Sequence, residues 1–111
     1  MKYYKGVCVM RVLVACSAGM STSLFVQKIK NAAETEGINL QIEAVSISEA
    51  RSLLSENDYD LFLLGPQVAF MKNQTEKELG DSLPVRVINS QDYGLMRVES
   101  VLKQIKDTVN R

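Results

Sequence analysis

Cys16 is followed by a run of small and hydroxyl-bearing residues, Ser17, Ala18, Gly19, Met20, Ser21, Thr22 and Ser23. The run falls between an apolar stretch, Val12 to Ala15, and an amphipathic one. A loop that leads from a strand into a helix carries amide N–H groups with no carbonyl partner, and small residues let that backbone approach an anion closely. Gly19 permits a turn that a larger residue resists. The hydroxyls of Ser21, Thr22 and Ser23 add donors. Such a nest favours the thiolate over the thiol and suits the oxygens of a phosphoryl group. Phosphoryl transfer asks mainly for in-line placement and charge stabilisation. Cys16 is therefore a candidate nucleophile, and Ser17 to Ser23 a candidate phosphate-binding loop.

Residue types alone leave other readings open. A cysteine at a strand end is commonly a small buried hydrophobe, and Ser21 to Ser23 could serve only to cap a helix. Cys8 has no such loop after it and reads as structural or exposed. The chain contains no histidine. A Cys-His or Ser-His pair within the chain is thereby excluded, and two cysteines at this spacing make no zinc site. No metal and no cofactor is expected, and any phosphohistidine must come from a partner. A low-molecular-weight tyrosine phosphatase would need Cys-x5-Arg, with the arginine gripping phosphate in bidentate fashion. Thr22 stands at that position. A redox role lacks a nearby resolving cysteine. A receiver-like role would want acidic residues where Ser17 and Ala18 stand. A regulatory or binding module that uses Cys16 only structurally remains as the alternative from a different class.

The elements that must hold this loop alternate along the chain. Residues 7–15 read as a strand with a buried core at Val12 to Ala15. Residues 20–36 read as a helix with Leu24, Phe25, Ile29, Ala32 and Ala33 on one stripe, stopped by Gly37. Residues 38–45 read as an edge strand. Ser46 and Glu49 form a capping-box pair ahead of a helix over 47–55. A central strand over 59–64 ends at Gly65-Pro66, which by itself is an ordinary turn signal. A helix over 67–79 follows, burying Val68, Met71 and Phe70. Residues 84–88 read as a fourth strand, 89–94 as a loop and 95–109 as a last helix.

This alternation implies an α/β fold, a small flavodoxin-like four-stranded parallel sheet of order 2-1-3-4 with helices on both faces. The phosphatase-like loop would follow strand 1. Ligands meet such sheets at the carboxyl ends of the strands, at the switch point. That point lies between strands 1 and 3, where Cys16 and Gly65-Pro66-Gln67 would both sit.

Lys plus Arg equals Asp plus Glu at 13 each, so no broad positive field recommends nucleic acid as a partner. No apolar run approaches the roughly 18 residues that span a bilayer, and direct membrane insertion is not expected. Lys2, Lys5 and Arg11 interrupt the N-terminus, which does not read as a secretion signal. A cytoplasmic monomer with reduced cysteines is expected. Residues 10–111 read as one domain, with 1–9 an extension or the start of strand 1 and Met10 a candidate start.

The string Cys16-Ser-Ala-Gly-Met-Ser-Thr-Ser23 resembles the phosphorylation loop of enzyme IIB components of the sugar phosphotransferase system, lactose/cellobiose family, cellobiose type. Leu63-Leu64-Gly65-Pro66-Gln67-Val68-Ala69-Phe70-Met71 resembles that family too, as do Val87 to Ser90 and Tyr93-Gly94. The resemblance implies a protein-Nπ-phosphohistidine–sugar phosphotransferase component. Cys16 would accept phosphate from a histidine-phosphorylated IIA protein and pass it to a sugar held by the membrane IIC permease, a β-linked disaccharide such as cellobiose, chitobiose or lactose. It also implies a cradle on Ser17 to Ser23. Gln67, Asp92 and Tyr93 are assigned to the rim, and Met20 and Phe70 to a docking face.

Overall fold

The computed structural model describes residues 2–4, 7–16, 20–80 and 83–109, with side chains described for 10–16, 23–80 and 83–109. Alternation of strand-sized apolar runs with amphipathic stretches produces the expected layers. Strand β1 (Lys2–Tyr4) is followed by β2 (Val7–Cys16), helix α1 (Met20–Thr35), β3 (Leu40–Ser46) and α2 (Ile47–Glu56). Then come β4 (Leu61–Leu64), a 3-10 segment (Pro66–Met71), α3 (Lys72–Leu79), β5 (Val85–Val87), α4 (Ser90–Gly94) and α5 (Val98–Val109).

β2 is the hub of the sheet. It runs parallel to β3 from Met10↔Leu40 through Cys16↔Ser46, and parallel to β4 from Val12↔Leu61 through Ala15↔Leu64. β5 adds to β4 in parallel, Phe62↔Val85 through Leu64↔Val87. The order β3-β2-β4-β5 is the expected 2-1-3-4. The added feature is β1, which lies antiparallel to the start of β2 with Tyr4 opposite Val7 and Lys2 opposite Val9.

The period of two in a strand divides β2 between two cores. Met10, Val12 and Val14 point to one face, where Phe25, Ile29 and Ala33 of α1 meet Val101, Leu102 and Ile105 of α5. Leu13 and Ala15 point to the other, against Ala50 of α2 and Val68 of the 3-10 segment. β4 is buried along its whole length and supplies both cores, Leu61 and Leu63 to the first and Phe62 and Leu64 to the second. Each fully buried aliphatic of this kind contributes about 1.5–3 kcal/mol.

Local chemistry sets the element ends. Ser46 Oγ accepts a hydrogen bond from Glu49 N–H at 3.3 Å, capping α2 as its sequence predicts. Gly37 takes φ +75° just past α1, the left-handed conformation that glycine adopts at least cost.

Four local expectations are corrected. The helix over 67–79 is interrupted, because Val68 leaves helical geometry (φ −118°, ψ 20°) to bury its side chain against the sheet. Phe70 is consequently 81% exposed and does not join the core. The loop over 89–94 is the short helix α4, because the Asn89 side chain accepts hydrogen bonds from Gln91 and Asp92 N–H. The last helix starts at Val98, since Met96 with φ 55° interrupts the backbone ahead of it.

Candidate functional site

Cys16 is the last residue of β2, and its parallel pairing with Ser46 is the last step of the β2–β3 ladder. The side chain is buried at 5% exposure, and its thiol lies 3.7 Å from the Val45 carbonyl oxygen, a long sulfur hydrogen bond. On the other side, Gly65 leaves the end of β4 and donates its N–H to the Ala15 carbonyl at 2.8 Å. A Cβ built on Gly65 would stand 3.5 Å from Cys16 Cβ, 3.5 Å from Ala15 O and 3.1 Å from Gln67 Oε1. Gly65 therefore serves close approach: its φ of −64° is one any residue adopts, and it is the missing side chain that lets the turn lie on Cys16. Cys16, Gly65 and Gln67 thus come together at the carboxyl ends of β2 and β4, where the strand order reverses.

α1 begins at Met20, so its first-turn N–H groups belong to Met20, Ser21, Thr22 and Ser23. The Ser23 side chain is exposed. Ser17, Ala18 and Gly19, and the side chains of Met20, Ser21 and Thr22, lie outside the described residues. So does the side chain of Cys8.

The remaining rim residues are held by other partners. Asp92 Oδ1 pairs with Arg97 Nη1 at 4.0 Å, ahead of α5. The Tyr93 ring packs on Phe25 of α1 with centroids 5.1 Å apart and planes tilted by 53°. Both sit in α4, which follows β5. Sequence reasoning passed over Val45, whose carbonyl receives the thiol, and Asn89, whose side chain forms α4. An Asn directly after an apolar strand and ahead of Ser90-Gln91-Asp92 is a helix-cap signal of the usual kind.

Among the described residues, no helix is long and apolar enough to cross a membrane. The comparisons with known proteins bear on this arrangement directly. The family model for the lactose/cellobiose-specific IIB subunit of the phosphotransferase system matches residues 11–104, from the second residue of the β2–β3 ladder into α5. The chain belongs to that family. It is 41% identical over 103 residues to a galactose-specific EIIB component of Lactococcus lactis subsp. cremoris, covering 89% of this chain and 95% of the relative. It is equally similar, over the same shares, to a cellobiose-specific EIIB component of Lactococcus lactis subsp. lactis. An oligo-beta-mannoside-specific EIIB component of Bacillus subtilis is 38% identical over 77% of this chain and 82% of its own length.

Solved structures agree. The solution structure of a cellobiose-specific IIB component from Borrelia burgdorferi matches with a TM-score of 0.75 at 36% identity, over 93% of this chain and 94% of that one. A lactose-specific IIB domain from Streptococcus pneumoniae gives a TM-score of 0.77 at 15% identity, over 89% of this chain and 96% of that one, a likeness of fold. The chain is thus a IIB component of a sugar phosphotransferase system of the lactose/cellobiose type, a phosphotransferase component by family.

Proposed function

We propose that this IIB component carries a phosphoryl group on Cys16 as a covalent intermediate. The observation that carries the reading is the place of Cys16, the last residue of the central strand, with Gly65 and Gln67 against it and α1 starting at Met20. In the first step the Cys16 thiolate attacks the phosphorus of a phosphohistidine on a IIA partner. The S–P bond forms as the N–P bond breaks, and the imidazole leaves. In the second, a hydroxyl of a sugar held by the membrane IIC partner attacks phosphorus. The S–P bond breaks, the thiolate leaves and the hydroxyl proton passes to a base on the IIC partner that holds the sugar.

The backbone of Ser17 to Ser23 supplies the cradle for the phosphoryl oxygens in this reading, helped by the α1 N-terminus. Gln67 is its rim residue on the β4 side, and Asp92 and Tyr93 lie on the β5 side. The protein works as a cytoplasmic monomer between its two partners. Of the relatives, one is named for galactose, and those named for cellobiose and oligo-beta-mannoside support a β-linked disaccharide as the final acceptor.

The burial of Cys16 favours one second reading, a regulatory module of this family whose thiol only packs against Val45. One experiment separates the two. Phosphoenolpyruvate, the upstream phosphocarriers and a IIA protein are mixed with the chain, and its intact mass is measured. The wild type gains one phosphoryl group, Cys8→Ser gains one as well, and Cys16→Ser gains none. A wild type that stays unmodified beside a phosphorylated IIA protein, or label retained on Cys16→Ser, overturns the phosphocysteine assignment.

A further inference from the structure

α2 and α3 lie on the same face of the sheet and leave a gap between them. α2 turns Ile47, Arg51 and Leu54 into it, at spacings of four and three residues that fall on one helical stripe. From the 3-10 segment and α3 come Met71, Thr75 and Leu79, a stripe of the same kind. Phe62 of β4 is the floor. The result is a mainly apolar cavity of about 270 Å³. Its rim is bridged by Arg51 and Glu78, with Nη2 and Oε1 at 3.6 Å and both side chains about half exposed, a pair with little energy to resist opening.

Thr75 gives the cavity its chemical character. It is 9% exposed, and among the described residues it is the one buried polar side chain. A buried threonine in a helix commonly returns its hydroxyl to the carbonyl a turn earlier. No side-chain hydrogen bond holds it among the described residues, and none of their buried side-chain oxygens lacks a partner, so the hydroxyl keeps contact with open space. Thr75 is one of the residues that line the cavity.

We infer that the α2–α3 cavity is a binding site for a small uncharged aromatic molecule that carries one hydrogen-bonding group, such as a phenol or an indole. The volume sets the size, because a cavity of roughly 150 Å³ holds one benzene, and this one admits a fused bicyclic ring. Apolar walls and the single buried polar side chain among them, Thr75, set the class. A sugar, whose ring of hydroxyls needs many partners, would leave most of them unpaired. The mutual neutralisation of Arg51 and Glu78 at the entrance favours an uncharged ligand over an ion. The site stands on α2, α3 and β4, so it holds whether or not Cys16 carries phosphate.

The test uses the full chain and three probes, indole, phenol and toluene, each titrated into 15N-labelled protein and followed by amide shifts. Indole and phenol are expected to bind saturably, with the shifts gathered on Ile47, Leu54, Phe62, Met71 and Thr75. Thr75→Val keeps the shape and removes the hydroxyl. It should weaken phenol about five-fold, the loss of one modest hydrogen bond, and leave toluene unchanged. Ser55→Phe starts from an exposed position at the mouth, so the fold should tolerate it, and it should block all three probes. Shifts that fail to saturate, shifts scattered away from the cavity, phenol affinity unmoved by Thr75→Val, or cellobiose competing for the same residues would each overturn the inference.

Discussion

Gly65 matters because of what it lacks. Its backbone angles suit any residue, yet a side chain there would grow toward Gln67, Ala15 and Cys16. Gly65→Ala puts a methyl 3.1 Å from the far end of the flexible Gln67 side chain, which can swing aside, so the variant should fold and accept phosphate. Gly65→Val adds two more carbons against the Ala15 carbonyl and Cys16 Cβ. Overpacking of this kind costs about 1–3 kcal/mol, and the strain falls on the reacting residue. Urea unfolding should register that loss, and phosphoryl acceptance should slow in Val but not in Ala. Equal rates in the two variants would separate Gly65 from the site.

A second residue-scale prediction concerns Tyr59, at the opposite end of the sheet. Its hydroxyl donates to Glu43 Oε1 at 3.1 Å, and the Arg11 guanidinium lies 5.0 Å from its ring centre. Burial first, and then Glu43, raise its pKa above the ordinary 10.0, while Arg11 works in the other direction. Above pH 10 the folded chain thus keeps a proton that the unfolded chain releases, so stability is present below that pH and is lost as pH climbs toward the raised value. Tyr59→Phe removes this contribution. Its unfolding free energy should fall less steeply than the wild type's between neutral pH and strongly alkaline buffer, and parallel curves would refute the linkage. Cys16 and Gly65-Pro66-Gln67 were legible as neighbours in the sequence because both follow apolar strands in a parallel sheet. The thiol's carbonyl partner was not, since Val45 reaches it from an edge strand through a main-chain oxygen that carries no residue signature.

At the scale of elements, periodicity located helices better than it located their faces. The stripe drawn through α1 included Leu24, yet Leu24 is 54% exposed while Val26, left off it, is buried. Phe25, Ile29 and Ala33 fix the true stripe, with α5 rather than the sheet alone closing it. Leu24→Ala should therefore change stability by no more than about 0.5 kcal/mol. Ile29→Ala, at a site with no exposure, should cost about 2–5 kcal/mol. Thermal or urea unfolding of the pair checks this, and a large loss at Leu24 would place it in contact with something the isolated chain does not show. The break at Val68 and the left-handed Met96 escaped sequence reasoning for a related reason. Both fall inside stretches that the sequence pattern reads as continuous helix, and both exist because tertiary packing sets the backbone there. Val68 must reach Leu13 and Leu64, and Met96 is drawn onto the α1–α5 core.

For the whole molecule, the parallel sheet and its order followed from the alternation of elements, while the antiparallel strand at the front did not. β1 is three residues long and polar at one end, too short for a pattern to be read. Its pairing defines an architectural boundary. Val7, Cys8 and Val9 face β1, whereas Met10 N–H bonds the Asn39 carbonyl at 3.0 Å and opens the ladder with β3. An isolated two-stranded hairpin adds little stability of its own in water. A chain starting at Met10 should accordingly keep the four parallel strands and both cores. Its urea midpoint should stay within the shift expected of about 1 kcal/mol, with an unchanged slope, because the slope follows the surface exposed on unfolding. It should also accept phosphate on Cys16 at the rate of the full chain. A clear drop in midpoint would mean that residues 1–9 are part of the folded unit, and a drop in transfer rate alone would assign the hairpin to partner docking.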